Sequence, residues 1–248
     1  MNLNVIAVIP ARFQASRFPG KLLMDLHGKS VILSTYQAAV NTGLFQEVIV
    51  AADDERIYNE IVEHGGQAVM TSSNHQSGSD RIAEVIENMP VDIVLNIQGD
   101  EPFLNKEDLQ KLIYIFEKDL ENQVHVATLV EELIPKEEVF NPNNVKVVLN
   151  NIQQALYFSR APIPYNRDEN KETTYYKHIG IYAFRKEVLM TFTKLPQGTL
   201  EQIEKLEQLR YLENGYTIKV ARASGKTIGI DTQADLDRAR ELIKQMEQ

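Results

Sequence analysis

The sequence predicts an α/β fold, with a mixed, mostly parallel sheet covered by helices and a small antiparallel insertion. Three observations predict it. Strand-like and helix-like segments alternate through the first half of the chain. The strand-like runs there are apolar throughout rather than alternating, as strands buried on both faces are. The second half is less regular, with shorter runs punctuated by Pro135 and Asn141-Pro142-Asn143-Asn144. A length of 248 residues with 43% hydrophobic content suits one domain over 1–248, with the insertion at about 125–185.

Val5–Ile9 is the first strand, β-branched and apolar, expected to break at Pro10. A basic loop follows, ending in Pro19-Gly20-Lys21. Ser30 caps a helix that runs to Val40 and ends near Gly43. Glu47–Ala52 is a second buried strand, and a helix from about Asp54 to Glu63 stops at Gly65-Gly66. Ala68–Met70 is a short third strand. The loop 71–79 then leads into a helix with Ile82, Val85, Ile86 and Met89 on one face. Val91–Ile97 is a fourth strand, followed by a helix near Asn105–Glu117. Val124–Val130, Val145–Leu149, Ala155–Phe158 and Ile179–Phe184 read as strands, with an exposed, moving loop over Arg167–Lys177. Thr199–Asn214 reads as one helix, with Thr199 and Gln202 as a capping box and Leu200, Ile203, Leu206, Leu209 and Leu212 as its core stripe. Thr217–Ala221 is a strand. A second capping box, Thr232 with Asp235, opens a terminal helix through Met246.

Composition narrows the function classes. The chain has no cysteine, which excludes disulfides, thiolate nucleophiles and Cys-zinc sites. Its five histidines show no HxH or HExxH spacing. A net charge of −9 argues against nucleic acid as partner, while a clustered set of cations still permits a small anionic substrate. No apolar run approaches membrane-spanning length and the N-terminus lacks a signal-peptide pattern, so no membrane partner and a cytoplasmic location are expected.

Three cations, Arg12, Arg17 and Lys21, follow the first strand. Ligands of open α/β sheets bind at the carboxyl ends of strands, so this loop suits phosphates. The Walker pattern and GxGxxG are both absent, which counts against an ATPase or a dinucleotide oxidoreductase. Gln98-Gly99-Asp100-Glu101-Pro102 follows the most apolar strand, where a carboxylate either holds a divalent cation or caps the next helix. Asp231 is open to the same two readings. His75-Gln76-Ser77-Gly78 enters a helix and suits an anion or a base edge as well as ordinary capping by Ser79 or Asp80. Arg160, Arg167 and His178 suit a carboxylate-bearing substrate, or surface ion pairs and a core histidine. Glu201, Glu204, Glu207 and Gln208 read mostly as a solvated helix face.

Seven motifs in one order tie these segments together: IPAR-x₄-R-x-PGK (9–21), HQSGSDR (75–81), NIQGDEP (96–102), FNPNNVKVV (140–148), YFSRAPIPY (157–165), HIGIYAFR (178–185) and IEKLEQLR (203–210). From about Val5 to Glu241 the chain resembles the 3-deoxy-manno-octulosonate cytidylyltransferases, the CMP-Kdo synthetases. The resemblance implies a Rossmann-like nucleotide-diphospho-sugar transferase fold, and a homodimer whose insertion supplies sugar contacts and the dimer interface. It implies CMP transfer from CTP to Kdo with release of pyrophosphate, activating Kdo for lipopolysaccharide synthesis. A related acidic sugar (8-amino-Kdo or sialic acid) or a capsule-dedicated role is the alternative. Arg12, Arg17 and Lys21 would meet the phosphates, and Thr71, His75, Gln76, Ser77, Gly78 and Gln98 the nucleotide. Gln98, Arg160, Arg167, His178, Glu207 and Gln208 would meet the sugar. Asp100 and Asp231 would ligate Mg²⁺, and Arg12, Lys21, Asp100 and Asp231 would carry catalysis. The chain departs from the family pattern at Phe13, Phe18, Leu22 and Ser72-Ser73-Asn74.

Overall fold

The computed structural model describes residues 3–14, 18–168, 172–225 and 229–246. The chain packs as two compact units. One comprises Met1–Lys106 with Thr227–Gln248, and the other is Glu107–Lys226, which contains the 125–185 stretch.

In the first unit, β1 (Val5–Ala11) lies between β2 (Val48–Ala52) and β4 (Ile93–Asn96), and β2 also pairs with β3 (Ala68–Met70). All of these pairings are parallel. Ile6, Ala7, Val8 and Ile9 are buried together with every residue of β2 and β4. Burial on both faces explains why these strands read as unbroken apolar runs, each large side chain contributing roughly 1.5–3 kcal/mol. The strand does not break at Pro10. Val8 turns its carbonyl towards Ile97, while Ala11 turns its own towards Asp53 beyond β2. Pro10 therefore faces the β4 side, where pairing has already ended at Val8–Asn96. Its missing N–H costs the ladder nothing there.

The helices of this unit follow their caps. Ser30 caps α1 (Val31–Asn41) and Asp54 caps α2 (Glu55–Glu63), each side chain accepting a first-turn backbone N–H. The cap of α3 (Gly78–Ile86) is Ser77 rather than Ser79 or Asp80, with Asp80 returning the bond to Ser77 N. Ile82 and Ile86 are buried on this helix as its periodicity requires. Thr232 and Asp235 form the expected capping box before the last helix, Gln233–Met246, hereafter α8.

The second unit contains most of α4 (Lys106–Lys118). Its strands are β5 (Val126–Glu132), β6 (Lys146–Leu149), β7 (Ala155–Ser159), β8 (Tyr176–Arg185) and β9 (Ile218–Arg222). Pairings β5–β8, β6–β7 and β6–β8 are antiparallel and β5–β9 is parallel. A short helix, α5 (Lys186–Phe192), follows β8 without a sequence signal.

The single helix expected over 199–214 is two: α6 (Thr199–Glu204) and α7 (Gln208–Glu213). They part at Lys205, which is left-handed with φ 54°. The Glu204 carbonyl accepts from Arg160 Nε at 2.8 Å, and the Glu204 carboxylate accepts from Ser159 Oγ and Arg160 N. These tertiary bonds override a helical pattern that contains no glycine or proline at the break. The expected stripe is consequently wrong at its start, with Ile203 73% exposed and Leu200 at 36%. Glu201 turns inward instead. Its carboxylate holds Arg210 Nε at 2.7 Å and Arg210 Nη2 at 2.5 Å, with both residues buried. The first turn of α6 is closed by Glu201 and Glu213 accepting backbone N–H groups, not by Thr199 and Gln202.

Candidate active site

The chemistry gathers at the carboxyl ends of β1 and β4. Gly20 adopts φ +70° and turns the chain so that a 3₁₀ turn, Lys21–Leu23, begins at the lysine. Gly99 sits in close packing. A Cβ there would lie 3.0 Å from Ile32 Cδ1 and 3.4 Å from the Pro10 carbonyl. The Thr35 hydroxyl donates to the Gly99 carbonyl at 3.0 Å and fixes the turn that presents Asp100. Asp231 arrives beside it because Ile230 N donates to Asp100 O at 2.9 Å.

The three groups meet. Lys21 Nζ donates to Asp100 Oδ2 and, at 2.9 Å, to Asp231 Oδ1. The lysine side chain is 12% exposed, against 22% for Asp100 and 47% for Asp231. Burial opposes the ammonium charge, but Asp100 and then Asp231 outweigh it and hold the lysine above its ordinary range. Arg12, Lys21, Gly78, Gln98, Asp100 and Asp231 line one cleft of about 350 Å³, together with Pro10, Gln14, Phe18, Leu22 and Gly99. Both carboxylate readings left open by the sequence thus converge on one cationic atom. Asp235, not Asp231, makes the capping-box bonds of α8.

Thr71, His75, Gln76 and Ser77 are not among the residues that line this cleft. Thr71 is buried, its hydroxyl donating to Ala52 O at 2.9 Å and accepting from Arg81 Nη1. His75 Nε2 pairs with the Glu84 carboxylate, which also accepts Ser72 N at 3.0 Å. Ser77 caps α3, Gln76 is exposed, and Arg17 lies outside the described residues.

The residues expected to meet the sugar fall in the second unit apart from Gln98. Arg160 is tied by its Nε to Glu204 O and by its Nη1 to Pro142 O at 2.9 Å. His178 Nε2 lies 3.0 Å from Thr128 Oγ1, between Phe158 and Tyr182. Burial, reinforced by the charge of Lys177, pushes its imidazole down to about 3, so it is neutral at physiological pH. Gln208 is buried, Glu207 half-buried and Arg167 exposed. Glu201 and Glu204 are not a solvated face, since each is bound internally.

Two contributors escape sequence reasoning. Asp53 Oδ1 accepts Phe13 N at 3.0 Å and so positions the start of the basic loop. Arg81 is fully buried and reaches both Thr71 and Asp53, the latter at 3.3 Å. Asp53 directly follows an apolar strand, the same placement that singled out Arg12 and Asp100, and that signal could have found it. A wider depression of about 750 Å³ borders α8, lined by Asp25, His27, Arg238 and Arg240 among others, and holds none of the predicted site residues.

Comparison with known proteins gives the same answer along the whole chain. Residues 6–228 match the family model described as cytidylyltransferase. The 3-deoxy-manno-octulosonate cytidylyltransferase of Christiangramia forsetii is 54% identical over 97% of each chain. That of Flavobacterium johnsoniae is 51% identical over 98% of this chain and 99% of its own. A solved CMP:2-keto-3-deoxy-manno-octonic acid synthetase complexed with CTP superposes with a TM-score of 0.92 at 42% identity, covering 98% of this chain and 99% of that one. A 4-diphosphocytidyl-2C-methyl-D-erythritol synthase from Anaerococcus prevotii, at TM-score 0.63 and 15% identity, shares the fold alone.

Proposed function

The chain belongs to the cytidylyltransferase family, and from that premise we propose that it transfers CMP from CTP to the anomeric hydroxyl of Kdo, giving CMP-Kdo and pyrophosphate. The observation that carries the reading is the convergence of Lys21, Asp100 and Asp231 in a cleft that Arg12 and Gln98 also line. The full-length likeness to named 3-deoxy-manno-octulosonate cytidylyltransferases supports the same substrate pair.

The Kdo hydroxyl oxygen forms the new bond to the α-phosphorus as the bond to the β-phosphate oxygen breaks, and the hydroxyl proton is lost. Such a transfer needs positioning and charge neutralisation more than covalent work from the protein. Arg12 and Lys21 offset charge on the departing pyrophosphate, Arg12 as a bidentate donor and Lys21 as a point charge. Arg17, Thr71, His75, Gln76, Ser77, Gly78 and Gln98 complete the nucleotide contacts in this reading. Gln98, Arg160, Arg167, His178, Glu207 and Gln208 complete those to the sugar acid.

Asp100 and Asp231 fit Mg²⁺. They are hard oxygen donors, partly open to solvent, and already converge on a cation at hydrogen-bond distance. One or two carboxylates plus phosphate oxygens and water is the set this ion takes. Bound there, Mg²⁺ would polarise the α-phosphate and lower the pKa of the attacking hydroxyl.

A homodimer formed through the second unit is part of the reading. Phe140, Ile152, Leu156 and Tyr165 support it, being 73, 60, 59 and 88% exposed on that unit. Sedimentation equilibrium tests it, and a monomer at micromolar concentration would contradict it. The cytoplasm, where CTP is made, is the proposed location. No helix among the described residues is long and apolar enough to cross a membrane.

The deciding assay is pyrophosphate release across a panel of Kdo, 8-amino-Kdo and sialic acid. Release is expected only with CTP, Mg²⁺ and Kdo all present. Preference for another acid would reassign the sugar, and binding of CTP without release would leave a nucleotide-binding regulator.

A further inference from the structure

We infer that the Lys21 ammonium is a built-in placeholder for the divalent cation, so that metal binding to the nucleotide-free enzyme must displace it and CTP relieves the competition. The inference rests on the metal reading of Asp100 and Asp231 given above.

The lysine occupies the pair of carboxylate oxygens that face one another across the cleft wall. Lys21 Nζ contacts one oxygen of each carboxylate, Asp100 Oδ2 and, at 2.9 Å, Asp231 Oδ1. A divalent ion bridging the same oxygens at roughly 2.0–2.1 Å would overlap the ammonium. Neither side of the contact is loosely placed. The Asp100 and Asp231 segments are joined by the Ile230 N to Asp100 O bond at 2.9 Å. Lys21 opens a 3₁₀ turn closed by Leu23 N to Gly20 O at 3.0 Å and Met24 N to Lys21 O at 3.1 Å. The lysine backbone therefore stays while its flexible four-carbon stem can swing.

Charge supplies the direction. One ammonium offsets half the charge of two carboxylates, and a divalent ion offsets all of it. The ammonium needs a new anionic partner when it leaves, and the cleft it lines with Arg12 and Gln98 has room for one. The phosphates of CTP are that partner. Nucleotide and metal then each raise the affinity for the other, because linkage is reciprocal. Without nucleotide the lysine keeps its place between the two carboxylates, and the enzyme holds little metal.

The test uses the purified full chain without nucleotide, with Mn²⁺ as the probe and the electron spin resonance of the free aqua ion as the readout. Lys21→Met is expected to bind Mn²⁺ about tenfold tighter than wild type. Arg12→Gln, which removes a different cation from the same cleft, is expected to change it less than about threefold. Adding Asp100→Asn to Lys21→Met should abolish the gain. Equal affinity of Lys21→Met and wild type, or an equal gain in Arg12→Gln, would overturn the placeholder while leaving the metal reading intact. Survival of the gain in the double variant would overturn both. A second arm needs no variant: Mg²⁺ added to wild type should raise acetylation of Lys21, read by mass spectrometry, at least about threefold. Unchanged reactivity at saturating Mg²⁺ would count equally against the placeholder.

Discussion

The two units use charged side chains in different ways. In the first, Lys21 sits between Asp100 and Asp231 at the wall of a cleft, where in the proposed reading a phosphate would take the carboxylates' place on the ammonium and a metal ion the ammonium's place on the carboxylates. In the second, the charges are enclosed by the chain itself. Glu201 and Arg210 are buried against each other, with the guanidinium 4.4 Å from the Phe192 ring centroid. Lys146 is fully buried and donates to the carbonyls of Asn141, Asn144 and Arg160. Burial holds its ammonium below the ordinary range. The difference teaches that a buried charge marks function only when its partners are exchangeable. Where backbone carbonyls or a fully matched ion pair satisfy it, it shapes the fold.

That contrast can be broken by experiment. Asp100→Asn and Asp231→Asn should each lower kcat by at least about a thousandfold, ~4 kcal/mol, while the urea midpoint hardly moves. A large stability loss with retained turnover would place these carboxylates in the structural class. Glu201→Gln should do the opposite, costing about 3–5 kcal/mol in urea unfolding by stranding the buried Arg210. A loss below ~1 kcal/mol would deny the ion pair that role. Lys21→Ala should cost roughly 2–4 kcal/mol in kcat/KM, the scale of one preorganised donor. A loss below about tenfold would argue against phosphate contact.

His178 sharpens the comparison through pH. Its folded-state value is depressed from 6.5 to about 3, so the unfolded chain takes up the proton first as acid is added. Its contribution is therefore intact above pH 6.5 and is lost as the pH falls from 6.5 towards 3. His178→Gln should flatten the stability profile in the upper part of that window, before the carboxylates titrate. Parallel profiles for variant and wild type would show that the imidazole is not held neutral.

How much of this was legible follows the same division. The parallel strands of the first unit were readable because burial on both faces writes unbroken apolar runs. Ser30 and the Thr232–Asp235 pair were readable because caps are local chemistry. That Arg12, Lys21 and Asp100 follow apolar strands was legible from the sequence, while the residues alone left Asp100 and Asp231 open between metal ligand and helix cap. The break at Lys205 was not, because it is held by Ser159 and Arg160, some 45 residues earlier in the chain. Arg81 was hidden for a similar reason, since its burial depends on Thr71 and Asp53 rather than on its own helix.

The central claim, that this cleft joins CMP to Kdo, is tested most directly by ³¹P NMR of the enzyme with CTP, Kdo and Mg²⁺. The account predicts loss of the three triphosphate resonances, with one phosphodiester resonance of CMP-Kdo and one equivalent of pyrophosphate appearing together. CMP or CDP as the product, or an unchanged CTP spectrum at full enzyme loading, would contradict it.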